Sequence, residues 1–218
     1  EKPTGSLSLG GSYSTNDGLG LVIGIKEDNF LGRGQKLSLS VSGASDNASY
    51  GVKFTEPAFL GRNVAFSFDV GYSESQSNYA NYDTTVATFR PGFSFPLSEN
   101  GRLGLYYLGQ WSEMTTADGT SGGIVADEIA QGGLWSSSLG YKYTFDSRRV
   151  GLNPNAGWLF EFGQELSGLG GDSEYIKTTA KAVAQTKVFH EEITLRASIE
   201  AGTLRYNGTT NGRSIHRF

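Results

Sequence analysis

The sequence predicts an all-β chain: an antiparallel transmembrane β-barrel, incomplete, with about eleven strands present. Three features carry that expectation. Apolar residues recur at every second position along most of the chain. The positions between them hold small or polar residues. Compact and longer connections alternate from one strand to the next, which sorts loop length by rim.

The first segment alternates Leu7, Leu9, Gly11 and Tyr13 with Ser6, Ser8, Gly10 and Ser12. Leu19, Leu21, Ile23 and Ile25 follow, then Leu37, Leu39 and Val41, then Tyr50, Val52 and Phe54. Val64, Phe66, Phe68, Val70 and Tyr72 continue the pattern, and Leu103, Leu105, Tyr107 and Trp111 resume it. Trp135, Leu139, Tyr141, Tyr143 and Phe145 come next, then Trp158, Phe160 and Phe162, and last Ile193, Leu195, Ala197, Ile199 and Ala201. Segments 84–95 and 174–187 read as strands mainly by position. Pro91 lies inside the first of these and cannot donate to a ladder, so a bulge is expected there. Ala180, Ala182 and Ala184 give the second a thin apolar face.

The alternate face carries Ser38, Ser40, Ser42, Ser67, Asp69, Gly71, Ser136, Ser138, Glu161 and Arg196. In a barrel this face lines the lumen. Lys or Arg facing lipid would cost roughly 2–4 kcal/mol at midplane. Asp69, Arg90, Glu161, Lys177, Lys181, Arg196 and Glu200 are therefore all expected on the lumen side. Tyr72, Trp111, Trp135, Tyr143, Phe145, Trp158 and Phe160 sit near strand ends, where amphipathic rings form interfacial girdles. The compact connections (27–34, 56–63, 96–101, 146–156 and 189–192) would be periplasmic turns, which puts the N-terminus on the periplasmic side.

Composition bounds the alternatives. A chain of 218 residues suits one mid-sized unit. Mean hydropathy is −0.32 and no run is long and apolar enough for a membrane helix, but a spanning strand needs only about 9–11 residues with every second one facing lipid. A formal charge of −4 without basic runs gives no case for nucleic acid. Cysteine is absent, so thiolate metal sites and disulfides are out. His190 and His216 lack metal-ligand spacing, and no nucleophile elbow or Ser-His-Asp arrangement is present. Asp127 and Glu128 read as part of a short loop helix. No cofactor, metal or catalytic group is expected, and the chain is not expected to be an enzyme.

An internal echo is more specific. Phe30-Leu31-Gly32-Arg33-Gly34 recurs as Phe59-Leu60-Gly61-Arg62-Asn63, 29 residues later, each after an acidic residue (Asp28, Glu56). Gly32 and Gly61 permit the positive φ of a tight turn. Segment 27–34 resembles the first periplasmic turn of the BamA family, of the outer-membrane insertase superfamily, and segment 56–63 is similar to that family's second. Thr4-Gly5-Ser6-Leu7-Ser8-Leu9-Gly10-Gly11-Ser12-Tyr13 resembles its first barrel strand. Asp146-Ser147-Arg148-Arg149, with Asn153-Pro154-Asn155-Ala156-Gly157, looks like the turn before its ninth strand. The resemblance runs in order along the whole chain.

It implies a barrel of sixteen strands, of which about eleven fall within residues 1–218. The periplasmic POTRA domains and the C-terminal strands would lie outside it. Arg217-Phe218 would approach the sixth extracellular loop. The implied function is folding and inserting β-barrel proteins in a Gram-negative outer membrane, through a lateral gate whose edge is Gly5–Tyr13. The implied partners are nascent outer-membrane proteins, accessory lipoproteins of the assembly complex and the lipid bilayer. A translocation or secretion barrel of the same superfamily, or a passive pore, is the alternative. A soluble all-β binding protein fits the strand number and the rim asymmetry poorly.

Overall fold

The structure is a computed structural model that describes residues 4–14, 18–77, 82–115, 123–149, 156–189 and 193–207. Its strands are β1 (Gly5–Ser14), β2 (Gly18–Phe30), β3 (Gln35–Gly43), β4 (Asn47–Glu56), β5 (Ala65–Ser77) and β6 (Tyr82–Pro96), followed by β7 (Gly101–Thr115), β8 (Leu134–Asp146), β9 (Gly157–Ser167), β10 (Tyr175–Val188) and β11 (Ile193–Tyr206). They form one antiparallel sheet in chain order, eleven strands with β1 and β11 at its two edges. A short helix, α1 (Ile124–Ala130), lies in the β7–β8 connection, where Asp127 and Glu128 were expected to be helical. Each strand hydrogen-bonds to its sequence neighbours, so alternation read along the chain becomes alternation across the sheet.

Register converts that alternation into two continuous faces, because directly opposed residues share a side. One apolar row runs Leu9–Ile23–Val41–Tyr50–Tyr72 through successive pairs. Another runs Phe93–Leu105–Tyr141. The aromatic residues expected in girdles all fall on this face, with Trp111 opposite Trp135 and Phe145 opposite Phe160. Its side chains are open: Leu7 is 74% exposed, Ile199 71% and Trp158 66%. The small residues of β10 are also accounted for. Ala180, Ala182 and Ala184 lie opposite Phe162, Phe160 and Trp158, so methyl groups sit beside large rings.

The other face is the concave one. Ser112, Ser136 and Ser138 are buried there along with Val183 and Tyr175. The seven charges expected on the lumen side (Asp69, Arg90, Glu161, Lys177, Lys181, Arg196 and Glu200) all lie on it. They oppose one another in rows, Lys53–Asp69–Arg90 and Glu161–Lys181–Glu200. Lys142 pairs with Glu161 at 2.8 Å and Lys181 with Glu200 at 3.2 Å.

One polar cluster ties several strands together on this face. Tyr106 of β7 crosses β8 and donates through its hydroxyl to Glu165 of β9 at 3.1 Å. Tyr175 of β10 donates to the same carboxyl group at 2.7 Å. The Arg90 guanidinium of β6 lies 3.9 Å over the Tyr106 ring. This crossing is open because residue 140 is glycine: a Cβ there would stand 2.6 Å from Tyr106 Cε2 and closer still to Cζ and Oη.

One local expectation needs correction. No bulge forms at Pro91, since Phe89 opposes Gly109 and Gly92 opposes Tyr106 in one unbroken register. The β6–β7 pairing merely lapses at Arg90 and Pro91, whereas on the β5 side Pro91 stays paired with Phe68. A proline whose missing N–H costs one ladder position needs no extra residue. The register shift found instead lies between Glu27 and Phe30, at the entry to the first tight turn.

Candidate functional site

β1 is the strand on which an edge function would rest. Gly5 to Ser14 pair with Glu27 to Gly18 over ten positions without a shift. No described strand covers the opposite edge. The direction of its backbone groups follows from one hydrogen bond. The Asp28 amide donates to the Thr4 carbonyl at 3.1 Å, which makes Thr4–Asp28 a hydrogen-bonded pair in the same register. Such pairs alternate in an antiparallel ladder. Ser6, Ser8, Gly10 and Ser12 therefore turn their N–H and C=O groups toward β2. Gly5, Leu7, Leu9, Gly11 and Tyr13 turn theirs toward the free edge.

Side-chain packing between β1 and β2 is thin on the concave face. Ser8 opposes Gly24, Ser12 opposes Gly20 and Gly10 opposes Val22. The Ser8 hydroxyl donates to the Gly24 carbonyl at 3.2 Å. The apolar face supplies Leu7–Ile25 and Leu9–Ile23, yet Leu7 and Leu9 remain 74% and 73% exposed.

The two echoed turns share one backbone. Gly32 N donates to Asn29 O and Arg33 N to Phe30 O; 29 residues on, Gly61 N donates to Ala58 O and Arg62 N to Phe59 O. The central pairs Leu31-Gly32 and Leu60-Gly61 have φ of 55° and 70°, and 53° and 72°. Two successive positive φ values are those of a type I′ turn, which matches the twist of the strands it joins. Gly34, at φ 69°, donates its amide to Asn29 Oδ1 at 2.6 Å.

The acidic residue of the first copy is Glu27 and not Asp28, as the 29-residue spacing itself requires. Glu27 Oε1 accepts the amide two residues on, from Asn29, at 2.9 Å, and Glu56 Oε1 accepts that of Ala58 at 3.2 Å. Glu27 and Glu56 are thus the equivalent pair, while Asp28 turns aside to Lys26 at 3.0 Å. Glu27 also accepts a hydrogen bond from the Thr4 side chain, and its Oε2 lies 2.9 Å from where a Cβ on Gly5 would stand. Gln35 Nε2 reaches Glu56 Oε2 at 2.6 Å. A polar chain therefore links the start of β1 to the first turn, and the first turn to the second.

The third turn uses the same opening device. Asp146 Oδ1 accepts the amide of Arg148 at 3.0 Å, and its two oxygens take Arg148 Nε at 2.9 Å and Nη2 at 3.0 Å. The Arg148 side chain is only 7% exposed. These bonds from the Asp146 carboxylate raise its already high pKa, so the cation persists at any accessible pH. Gly157 leaves room for the Ser147–Arg148 backbone, which a Cβ would meet at 3.0 Å. Gln185 of β10 braces the turn by donating to the Arg149 carbonyl at 2.9 Å. Pro154, His190 and His216 lie outside the described residues.

The fold thus brings Gly5, Phe30, Gly32, Arg33 and Gly34 into one connected set with Phe59, Gly61 and Arg62. It leaves Asp146, Arg148 and Gly157 in a separate turn of the same rim. The Tyr106–Glu165–Tyr175 cluster had no sequence signal, since its members belong to three strands and Tyr106 reaches Glu165 only across a fourth.

Comparison with known proteins matches this arrangement. The model of the Omp85 superfamily domain matches residues 29–218. The mouse "Sorting and assembly machinery component 50 homolog" is 32% identical over 78% of this chain and 36% of its own length. The "Outer membrane protein assembly factor BamA" of Neorickettsia risticii is 23% identical over 94% of this chain and 28% of its own. The chain thus spans about a third of the length of these relatives, which come from animals as well as bacteria. In fold, it is similar to the crystal structure of BamA from Haemophilus ducreyi lacking POTRA domains 1–3. That likeness has a TM-score of 0.74 at 19% identity and covers 95% of this chain and 42% of that one. With the family model covering most of its length, the chain belongs to the Omp85 superfamily.

Proposed function

We propose that this chain is the N-terminal part of the barrel of an outer-membrane assembly factor, which folds and inserts β-barrel proteins without a covalent step. The pairing of β1 is the observation that carries the reading: Gly5, Leu7, Leu9, Gly11 and Tyr13 turn their backbone groups away from β2, and side-chain packing against β2 is thin. An edge strand presents unpaired N–H and C=O groups that can template an incoming strand by β-augmentation. In a membrane that template has added force, because unpaired backbone groups in hydrocarbon cost several kcal/mol each. Gly5, Leu7, Leu9, Gly11 and Tyr13 are the residues that would pair with the client, and the Ser–Gly pairs behind them let β1 shift without breaking a packed interface. Nascent outer-membrane proteins are the clients, and accessory lipoproteins of an assembly complex are the further partners. The BamA-like order of turns supports a Gram-negative outer membrane as the setting.

Photoreactive residues at Ser8 or Ser12 in the full-length protein in cells test this. Adducts with newly made outer-membrane proteins that form during their folding and fade afterwards are expected. Adducts only with the protein's own last strand would remove the gate and leave a pore, or a translocation barrel of the same superfamily.

A further inference from the structure

Among the described residues, the non-glycine positions with positive φ are Leu31 (55°), Leu60 (53°) and Phe189 (50°). All three lie in short turns of the same rim, between β2 and β3, β4 and β5, and β10 and β11. Left-handed backbone favours glycine or asparagine, so a large apolar residue there is strained. Each of these side chains is nevertheless open: 73% exposed at Leu31, 82% at Leu60 and 72% at Phe189. Three strained positions on one rim thus each hold a bulky apolar side chain out in the open, where something outside the chain could receive it.

The residue beside Leu60 shows which face the second turn lies against. The Phe59 ring packs on Phe66 and Phe93 at centroid distances of 5.4 and 5.5 Å. Phe66 and Phe93 oppose each other on the apolar face. The turn thus folds over the lipid-facing side and continues the apolar band beyond the strand ends. Exposed Arg33 and Arg62 follow the two leucines by two residues. Apolar tips beside cations fit the boundary between acyl chains and headgroups.

We propose that this rim anchors the barrel in the adjoining leaflet, with Leu31, Leu60 and Phe189 inserted at the headgroup–acyl boundary and Arg33 and Arg62 on the phosphates of anionic phospholipid. The anchor depends on the membrane-facing assignment of the apolar face but not on the gate.

The test uses the full-length protein in vesicles of phosphatidylethanolamine and phosphatidylglycerol, with a bimane label on Leu60→Cys, Leu31→Cys or Phe189→Cys. Glu99→Cys, in the exposed β6–β7 turn, is the aqueous reference, and Val70→Cys, in mid-sheet on the apolar face, is the acyl reference. Headgroup-nitroxide lipid should quench the three rim labels roughly threefold more than the label at 99. Arg62→Gln, or replacement of phosphatidylglycerol by phosphatidylcholine, should reduce the quenching at 60. Quenching at 60 equal to that at 99, with Val70 still quenched by acyl-chain nitroxide, overturns the anchor alone. Failure to quench Val70 overturns the membrane assignment itself. Rim labels shielded only when accessory subunits are added, and not by lipid, would assign the surface to a protein instead. Leu60→Asn, which suits left-handed backbone, serves as the folded control without the apolar tip.

Discussion

Gly140→Ala tests the concave-face cluster most sharply. The added methyl would collide with the Tyr106 ring, so the ring must leave its slot over β8. Leaving breaks the hydrogen bond to Glu165 and the stacking under Arg90. A hydrogen bond to a carboxyl oxygen contributes about 1–3 kcal/mol. The cation–π contact adds about 0.5–1 kcal/mol, at the low end because Arg90 is exposed. Alanine recovers roughly 0.5–1 kcal/mol over glycine within a strand. The net expectation is a loss of about 1–3 kcal/mol. In a Tyr106→Ala background the slot is empty, and Gly140→Ala should be neutral or stabilising by up to about 1 kcal/mol. Urea unfolding in detergent, read by the shift of the folded band on unheated gels, measures all four corners of the cycle. Equal effects of Gly140→Ala with and without Tyr106 would refute the slot.

Other expectations follow from the same geometry. Leu9→Pro should keep the folded band and the β1–β2 ladder, because it removes an edge N–H, while abolishing client adducts at Ser8; Ser8→Pro should loosen β1 from β2, as faster amide exchange at Gly24 would report. Leu60→Asn should stabilise the protein in detergent by about 1 kcal/mol, seen as a higher urea midpoint, since asparagine tolerates left-handed backbone. Asp146→Asn should destabilise by roughly 1–3 kcal/mol, below the range for a fully buried pair because Asp146 is partly exposed. Adding Arg148→Met should recover part of that loss in the same urea titration.

Sequence alone determined the strands and their faces. Alternation of period two is local, so Leu7, Leu9 and Tyr13, or Phe66, Phe68 and Val70, mark the lipid side with no knowledge of their neighbours. Charges such as Asp69 and Lys181 could be assigned to the lumen because a lone charge in hydrocarbon is too costly. The turns echoed at Leu31-Gly32 and Leu60-Gly61 were equally legible, since their backbone follows from the residues themselves.

Tertiary structure decided whatever depends on register. That Pro91 interrupts pairing without a bulge and that Gly140 makes way for Tyr106 both depend on which residues stand opposite. Register accumulates over hydrogen bonds between segments distant in sequence, so no window along the chain contains it. The same holds for the edge of β1. Sequence marks Gly5–Tyr13 as a strand, but only its pairing with β2 determines which of its amides face away from β2.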